Sequence, residues 1–125
     1  MLVSSMSGLV GSGYVATYAA SKSFEIVLAE GLHWELQREG VDILCAVASL
    51  TNTPAMRRSG MMEIEGLTPM DARTFSLGAI EALGTTPVWY AVGNNAEEGI
   101  RTQPRALATA NASANSARLG GSKHR

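Results

Sequence analysis

An α/β fold, a parallel sheet covered by helices, is what this sequence predicts. Strand-like and helix-like stretches alternate along the chain. Residues 41–48 (VDILCAVA) are almost wholly apolar after Asp42, as a strand buried on both faces must be. The helical stretches between strands are long enough for the crossovers that parallel strands need.

The elements follow in order. Residues 1–5 (MLVSS) read as a short strand, and residues 6–13 (MSGLVGSG) as a plain, flexible Gly/Ser loop. Over residues 17–39 an apolar stripe recurs at helical spacing: Phe24, Val27, Leu28, Gly31, Leu32 and Leu36. Glu25, Glu30, Glu35 and Arg38 fall on the opposite face, and Gly40 supplies a stop. The strand at 41–48 is followed by a polar stretch. Thr68 is placed to cap a helix with Pro69 in its first turn, running to about 83 before Gly84 ends it. Residues 88–92 (VWYAV) form a third strand closed by Gly93, and a thin-faced Ala/Asn/Ser helix covers 104–119.

Length and composition bound the rest. The chain has 125 residues, 46% apolar and 17% charged, enough for one globular domain at 1–119 with a frayed tail at 120–125. A net charge of −1 leaves no electrostatic footprint for nucleic acid or an anionic membrane, so neither is an expected partner. The lone Cys45 excludes an internal disulfide framework, and one cysteine with two distant histidines excludes a structural zinc spacing. No metal is expected. No apolar stretch approaches the roughly 18 residues of a membrane span. No Lys or Arg precedes Lys22, so the basic start of a secretory signal is lacking. A reducing, cytoplasmic location fits these features.

Tyr18 and Lys22, four apart on the long helix, project from one face. A phenol alone is a poor proton carrier near neutrality. A lysine ammonium some 6 Å away, at an effective dielectric near 20, favours the phenolate by roughly 3 kcal/mol. That brings general acid–base catalysis within reach. Taken alone, the spacing suits an ordinary exposed helix face equally well. Ser5 stands thirteen residues before Tyr18, at the end of a strand, where ligands gather in open parallel sheets.

On these residues the sequence resembles the short-chain dehydrogenase/reductase family. The matching segments are Ser4-Ser5-Met6-Ser7-Gly8, Tyr18-Ala19-Ala20-Ser21-Lys22, Gly31-Leu32 to Gly40-Val41, and Asn52-Thr53-Pro54 after the buried strand. The likeness covers residues 1–57 and continues more loosely to about 119. It implies the C-terminal half of a doubly wound parallel sheet (Rossmann-like), three strands alternating with helices. It implies an oxidoreductase moving hydride between NAD or NADP and a small-molecule alcohol or carbonyl. Tyr18 would be the general acid/base, Lys22 would favour its phenolate and hold the nicotinamide ribose, and Ser5 would bind the substrate oxygen. Thr53 would meet the nicotinamide carboxamide. The family's dimers imply a homo-oligomer through the helix at 17–39.

The chain departs from the family pattern in two places. Ala48-Ser49 stands where the family usually has Pro-Gly. The family's Gly-rich dinucleotide fingerprint, acidic ribose position and Asn-Asn-Ala-Gly segment all come before the catalytic serine, and are expected to be missing here. An unpaired apolar edge on the first strand is then expected. The chain alone is expected to bind no dinucleotide tightly. A non-catalytic fragment or interaction module is the alternative to an enzyme.

Other features carry less. Gly8-Leu9-Val10-Gly11-Ser12-Gly13 has the spacing G-x-x-G-x-G, which is not the forward phosphate fingerprint. Asn94-Asn95-Ala96 follows Tyr18 rather than preceding it and reads as coincidence. His33 reads as a partly exposed helix residue, and His124 lies in the tail. Met56, Met61, Met62 and Met70, around Arg57-Arg58, suit either a substrate lid or a loop packed on the sheet. No Gly-x-Ser-x-Gly elbow or Walker loop is present.

Overall fold

The computed structural model describes residues 1–59 and 68–121. A three-stranded parallel sheet forms its centre, in the order β1-β2-β5: β1 is Leu2–Ser5, β2 is Cys45–Ala48 and β5 is Val88–Tyr90. Leu2 pairs in register with Cys45, and Cys45 in turn with Val88. The α/β reading holds. The Rossmann-like half-sheet expected from the sequence is this one.

The middle strand shows why the apolar run at 41–48 was informative. Leu44, Cys45, Ala46 and Val47 are all fully buried. Side chains alternate across a strand, so the two faces recruit different helices. Cys45 and Val47 pack with Leu9, Tyr90 and with Ile26 and Ala29 of α1 (Ala16–Leu36). Ala46 packs on the other face with Phe75 and Ala79 of α3 (Ala72–Ala82). Helices on both faces of a parallel sheet are what satisfy its two apolar surfaces. The strand is shorter than expected, because residues 41–44 lead into it without pairing as strand, although the Leu44 carbonyl still accepts from Leu2 N–H.

Several local expectations are corrected. Residues 6–13 are not a plain flexible loop: Met6–Leu9 form a 3-10 turn, with Ser5 capping it and Leu9 and Val10 buried. The long helix does not lay its predicted stripe on the sheet. Phe24 (65% exposed) and Val27 (63%) of that stripe face outward, as does Trp34 outside it (70%), while Ala19, Ile26, Ala29 and His33 form the buried face. His33 is buried rather than partly exposed; its Nδ1–H donates to the Ile43 carbonyl at 3.1 Å, which accounts for a polar ring in that position. A 3-10 turn at Gln37–Glu39 extends the helix to Gly40, which stops it at φ 71°.

A second, two-stranded parallel sheet, unanticipated from the sequence, joins β3 (Thr51–Asn52) to β4 (Met70–Asp71). Their two-residue lengths hide them from any periodicity test. Asp71, not Thr68, caps α3: its side chain accepts from Thr74 N–H at 2.9 Å. Between β3 and β4 lies the short helix α2 (Pro54–Arg58), with Pro54 in its first turn. Residues 94–96, read as coincidence, open a further helix, α4 (Asn94–Arg101), after Gly93 at φ 82°. The last helix, α5 (Arg105–Gly121), runs past the boundary expected at 119. Met61, Met62 and His124 lie outside the described residues.

Among the described residues no helix is long and apolar enough to cross a membrane, and no group of His, Cys, Asp or Glu is arranged to hold a metal ion.

Candidate active site

Ser5 closes β1 and its backbone turns at once into the 3-10 helix. Its Oγ accepts from Ser7 N–H at 3.2 Å, which leaves the hydroxyl proton to donate elsewhere. Ser5 is in register with Ala48, the last residue of β2, so the chain leaves both strands at the same end of the sheet. That end carries the segment leading to Thr53. Thr53 caps α2, its Oγ1 accepting from Met56 N–H at 3.2 Å, and so also keeps a proton to donate. Asn52 beside it accepts from the Arg57 guanidinium through its side-chain oxygen.

Tyr18 and Lys22 both lie on α1, and the helix is locked against β1 at Lys22. Ser4, buried next to Ser5, points the other way along the strand pleat and donates from Oγ to the Lys22 carbonyl at 2.7 Å. Gly8 completes the lock. A Cβ built there would stand 2.7 Å from the Lys22 carbonyl carbon and 2.8 Å from Ser23 N, so only glycine lets the turn approach the helix this closely. The signal for Ser4 lies in the pleat, since adjacent serines on a strand must serve opposite faces.

The lysine head group is fully engaged. Lys22 Nζ donates to the Val3 carbonyl at 3.0 Å and to both carboxylate oxygens of Glu25 at 3.0 Å. It stands 5.8 Å from the centroid of the Tyr18 ring, close to the 6 Å expected from helical spacing. Tyr18 itself is half exposed. The sequence puts Glu25 on the face opposite the apolar stripe; because that stripe faces outward, the carboxylate lies beside Lys22. The i,i+3 spacing from Lys22 was readable in the sequence. Its charge offsets part of the field that Lys22 sets up at Tyr18.

Behind this pair lies Cys45, fully buried. Burial pushes its thiol up to about 11, and the Glu25 carboxylate adds to the rise. It is a packing residue rather than a nucleophile.

The Gly-rich segment does not offer a phosphate cradle. Gly8 is spent on the contact with α1, and Gly13 N–H donates to Ser113 Oγ of α5 at 2.8 Å. Ser12 and Ser116 share a hydrogen bond at 2.7 Å, and Arg105 donates to the Leu9 carbonyl. Helix α5 thus closes over this loop. Between them is a cleft of about 260 Å³ lined by Met6, Ser7, Ser12, Asn111 and Asn115 among others, uncharged throughout.

Among known proteins, residues 1–63, just over half the chain, match the short chain dehydrogenase family. The chain belongs to that family. A structure solved in a study of 7beta-hydroxysteroid dehydrogenase stereoselectivity is similar over 85% of this chain, with a TM-score of 0.67 and 22% identity. At that identity the likeness is one of fold. The chain spans 42% of that neighbour's length. No curated protein matches it.

In this short chain dehydrogenase family member, Ser5, Tyr18, Lys22 and Thr53 are the residues that could hold the nicotinamide–ribose end of a dinucleotide. A phenol and an ammonium are donors of the kind a ribose diol accepts from, and a hydroxyl proton is one a carboxamide oxygen accepts. The structure joins Tyr18 and Lys22 directly and ties Lys22 to β1. Ser5 and Thr53 it places at a shared end of the sheet. The pyrophosphate end finds no comparable set among the described residues.

Proposed function

We propose that this chain carries the catalytic residues of an NAD- or NADP-dependent oxidoreductase acting on an alcohol or carbonyl. The observation that carries the reading is the Tyr18–Lys22 pair, with its ammonium 5.8 Å from the phenol ring on a helix fixed to the strand that ends in Ser5.

Bound NAD(P) supplies the hydride acceptor or donor. Tyr18 takes the hydroxyl proton of an alcohol, or returns it to a forming alkoxide. Ser5 donates its free proton to the same oxygen and so favours developing negative charge. Lys22 offers N–H groups to the ribose hydroxyls; Thr53 donates to the carboxamide. Tyr18→Phe keeps the ring and removes the proton carrier. In a full-length enzyme carrying this segment, we expect turnover of a secondary-alcohol panel, followed at 340 nm, to fall by about 10²–10⁴-fold while dinucleotide affinity changes little. Unchanged turnover would remove Tyr18 from its role.

A second reading, a non-catalytic interaction module, is favoured by one observation: the Gly-rich loop is occupied by contacts with α1 and α5. Titration with NADH and NADPH separates the two. Saturable micromolar binding supports the enzyme, and no binding supports the module. The outward stripe of Phe24, Val27, Leu28 and Trp34 supports self-association through α1 in either case.

A further inference from the structure

The cleft between the Gly-rich loop and α5 starts beside Ser5. Ser7 lines it, and Ser7 N–H donates to Ser5 Oγ at 3.2 Å. Its walls are of two kinds. Met6 and Val10 from the loop side and Ile100 of α4 make an apolar flank. Asn111 and Asn115, one helical turn apart on α5, bring side-chain amides to the same space. Helix α5 lies outside residues 1–63, the segment that matches the family, so these amides are not part of the matched pattern.

The polar groups are unequally occupied. Ser12 and Ser116 bond each other at 2.7 Å, and Asn111 makes one long bond of 3.4 Å to Gln103. Among the described residues nothing in the chain bonds the Asn115 amide, which leaves its donors and its acceptor for a ligand. No acidic or basic side chain lines the cleft. A carboxylate or phosphate brought into it gives up water for amides, hydroxyls and hydrocarbon, with no opposite charge to offset the loss. A purely hydrocarbon ligand covers the amides without bonding them, which also costs. A neutral ligand with one more polar group avoids both penalties.

Resting on the reading of Ser5 as the residue that binds the substrate oxygen, we propose that this cleft takes the body of the substrate. The substrate is then an uncharged alcohol or carbonyl compound that bears a second neutral hydrogen-bonding group. The apolar flank covers its carbon skeleton, and Asn115, with Asn111 beside it, bonds the second group.

Three cyclohexanols of one shape serve as probes: 4-hydroxycyclohexanecarboxamide, 4-hydroxycyclohexanecarboxylate and 4-methylcyclohexanol. Binding is read in this chain by two-dimensional NMR, from the asparagine side-chain amides and the backbone amides around the cleft. The carboxamide is expected to shift the Asn115 amide and to bind about tenfold more tightly than the carboxylate. Asn115→Leu is expected to weaken the carboxamide about fivefold and to leave 4-methylcyclohexanol unchanged. Asn115 is exposed and Leu is the better helix former, so the variant keeps its fold. Turnover of the same three probes is then compared in a full-length enzyme carrying this segment, where kcat/KM is expected to follow the order of binding. A carboxylate that binds as tightly as the carboxamide, or a carboxamide affinity untouched by Asn115→Leu, overturns the proposal, whatever turnover shows. So does the absence of any shift up to about 50 mM, a concentration above the dissociation constant that contacts alone give a ligand of this size. Selective binding in the cleft with no turnover of any probe overturns the oxidoreductase reading, and the substrate role of the cleft with it. Turnover that favours the carboxylate leaves the oxidoreductase reading standing and overturns the cleft as the substrate's seat.

Discussion

The contacts that set the site are made by residues with no chemistry of their own. Ser4 and Gly8 hold the backbone of Lys22, one by a 2.7 Å hydrogen bond and one by having no Cβ. Gly8→Ala forces a methyl group against helix backbone that cannot yield by changing rotamer. We expect a loss of about 1–3 kcal/mol, measured by urea denaturation, with m unchanged. A neutral Gly8→Ala would mean that α1 can move off the turn without cost. At this scale the sequence was legible for chemistry and silent on support. The spacing of Ser5, Tyr18 and Lys22 is the basis of the proposed site, whereas the job of Gly8 exists only once α1 lies across it.

Among the elements, α3 shows how a start signal can mislead. Thr68-Pro69 has the composition of a helix start, yet the helix begins four residues after Thr68, behind Asp71. Residues 70–71 are taken by pairing with β3, and a paired extended segment cannot also be a first helical turn. The Asp71 carboxyl is held below its ordinary 3.8, first by the Thr74 N–H it accepts. A depressed folded-state value means that its contribution is present above about 3.8 and is lost as pH falls through the lower folded value. Thermal unfolding of wild type between pH 5 and pH 2 should therefore fall more steeply than that of Asp71→Asn, whose amide caps without titrating. Parallel curves would show that the charge on Asp71 adds nothing to the cap. Helix α1 makes the complementary point. Its most apolar stripe faces outward, because Ile26 and Ala29 take the side that packs on Cys45 and Val47, and helical spacing then turns Phe24, Val27 and Trp34 away from the sheet.

Over the whole molecule, two buried acids at the sheet set an alkaline limit. Burial raises the Cys45 thiol from 9.0 to about 11. It also raises the Tyr90 phenol from 10.0 to about 12, with the neighbouring Glu97 adding to the rise. Below pH 9 both groups are protonated whether the chain is folded or not. Above it the unfolded chain loses its protons first, so stability falls as pH rises from about 9 to about 12. The urea midpoint should be level from pH 7 to 8.5 and then drop. Cys45→Ala should remove the lower-pH part of that drop, and a drop identical in Cys45→Ala and wild type would show that the thiol is not its source.

By itself the sequence determined the layered α/β architecture, the buried middle strand and the family, because those depend on short-range patterns: alternation of elements, an unbroken apolar run, and fixed spacings between reactive side chains. The tertiary structure alone decided which face of α1 meets the sheet, which glycines are spent on packing, and that Lys22 rests on Val3 and Glu25. Those outcomes depend on which surfaces meet, and close packing selects small side chains and exposed carbonyls that no periodicity along the chain distinguishes.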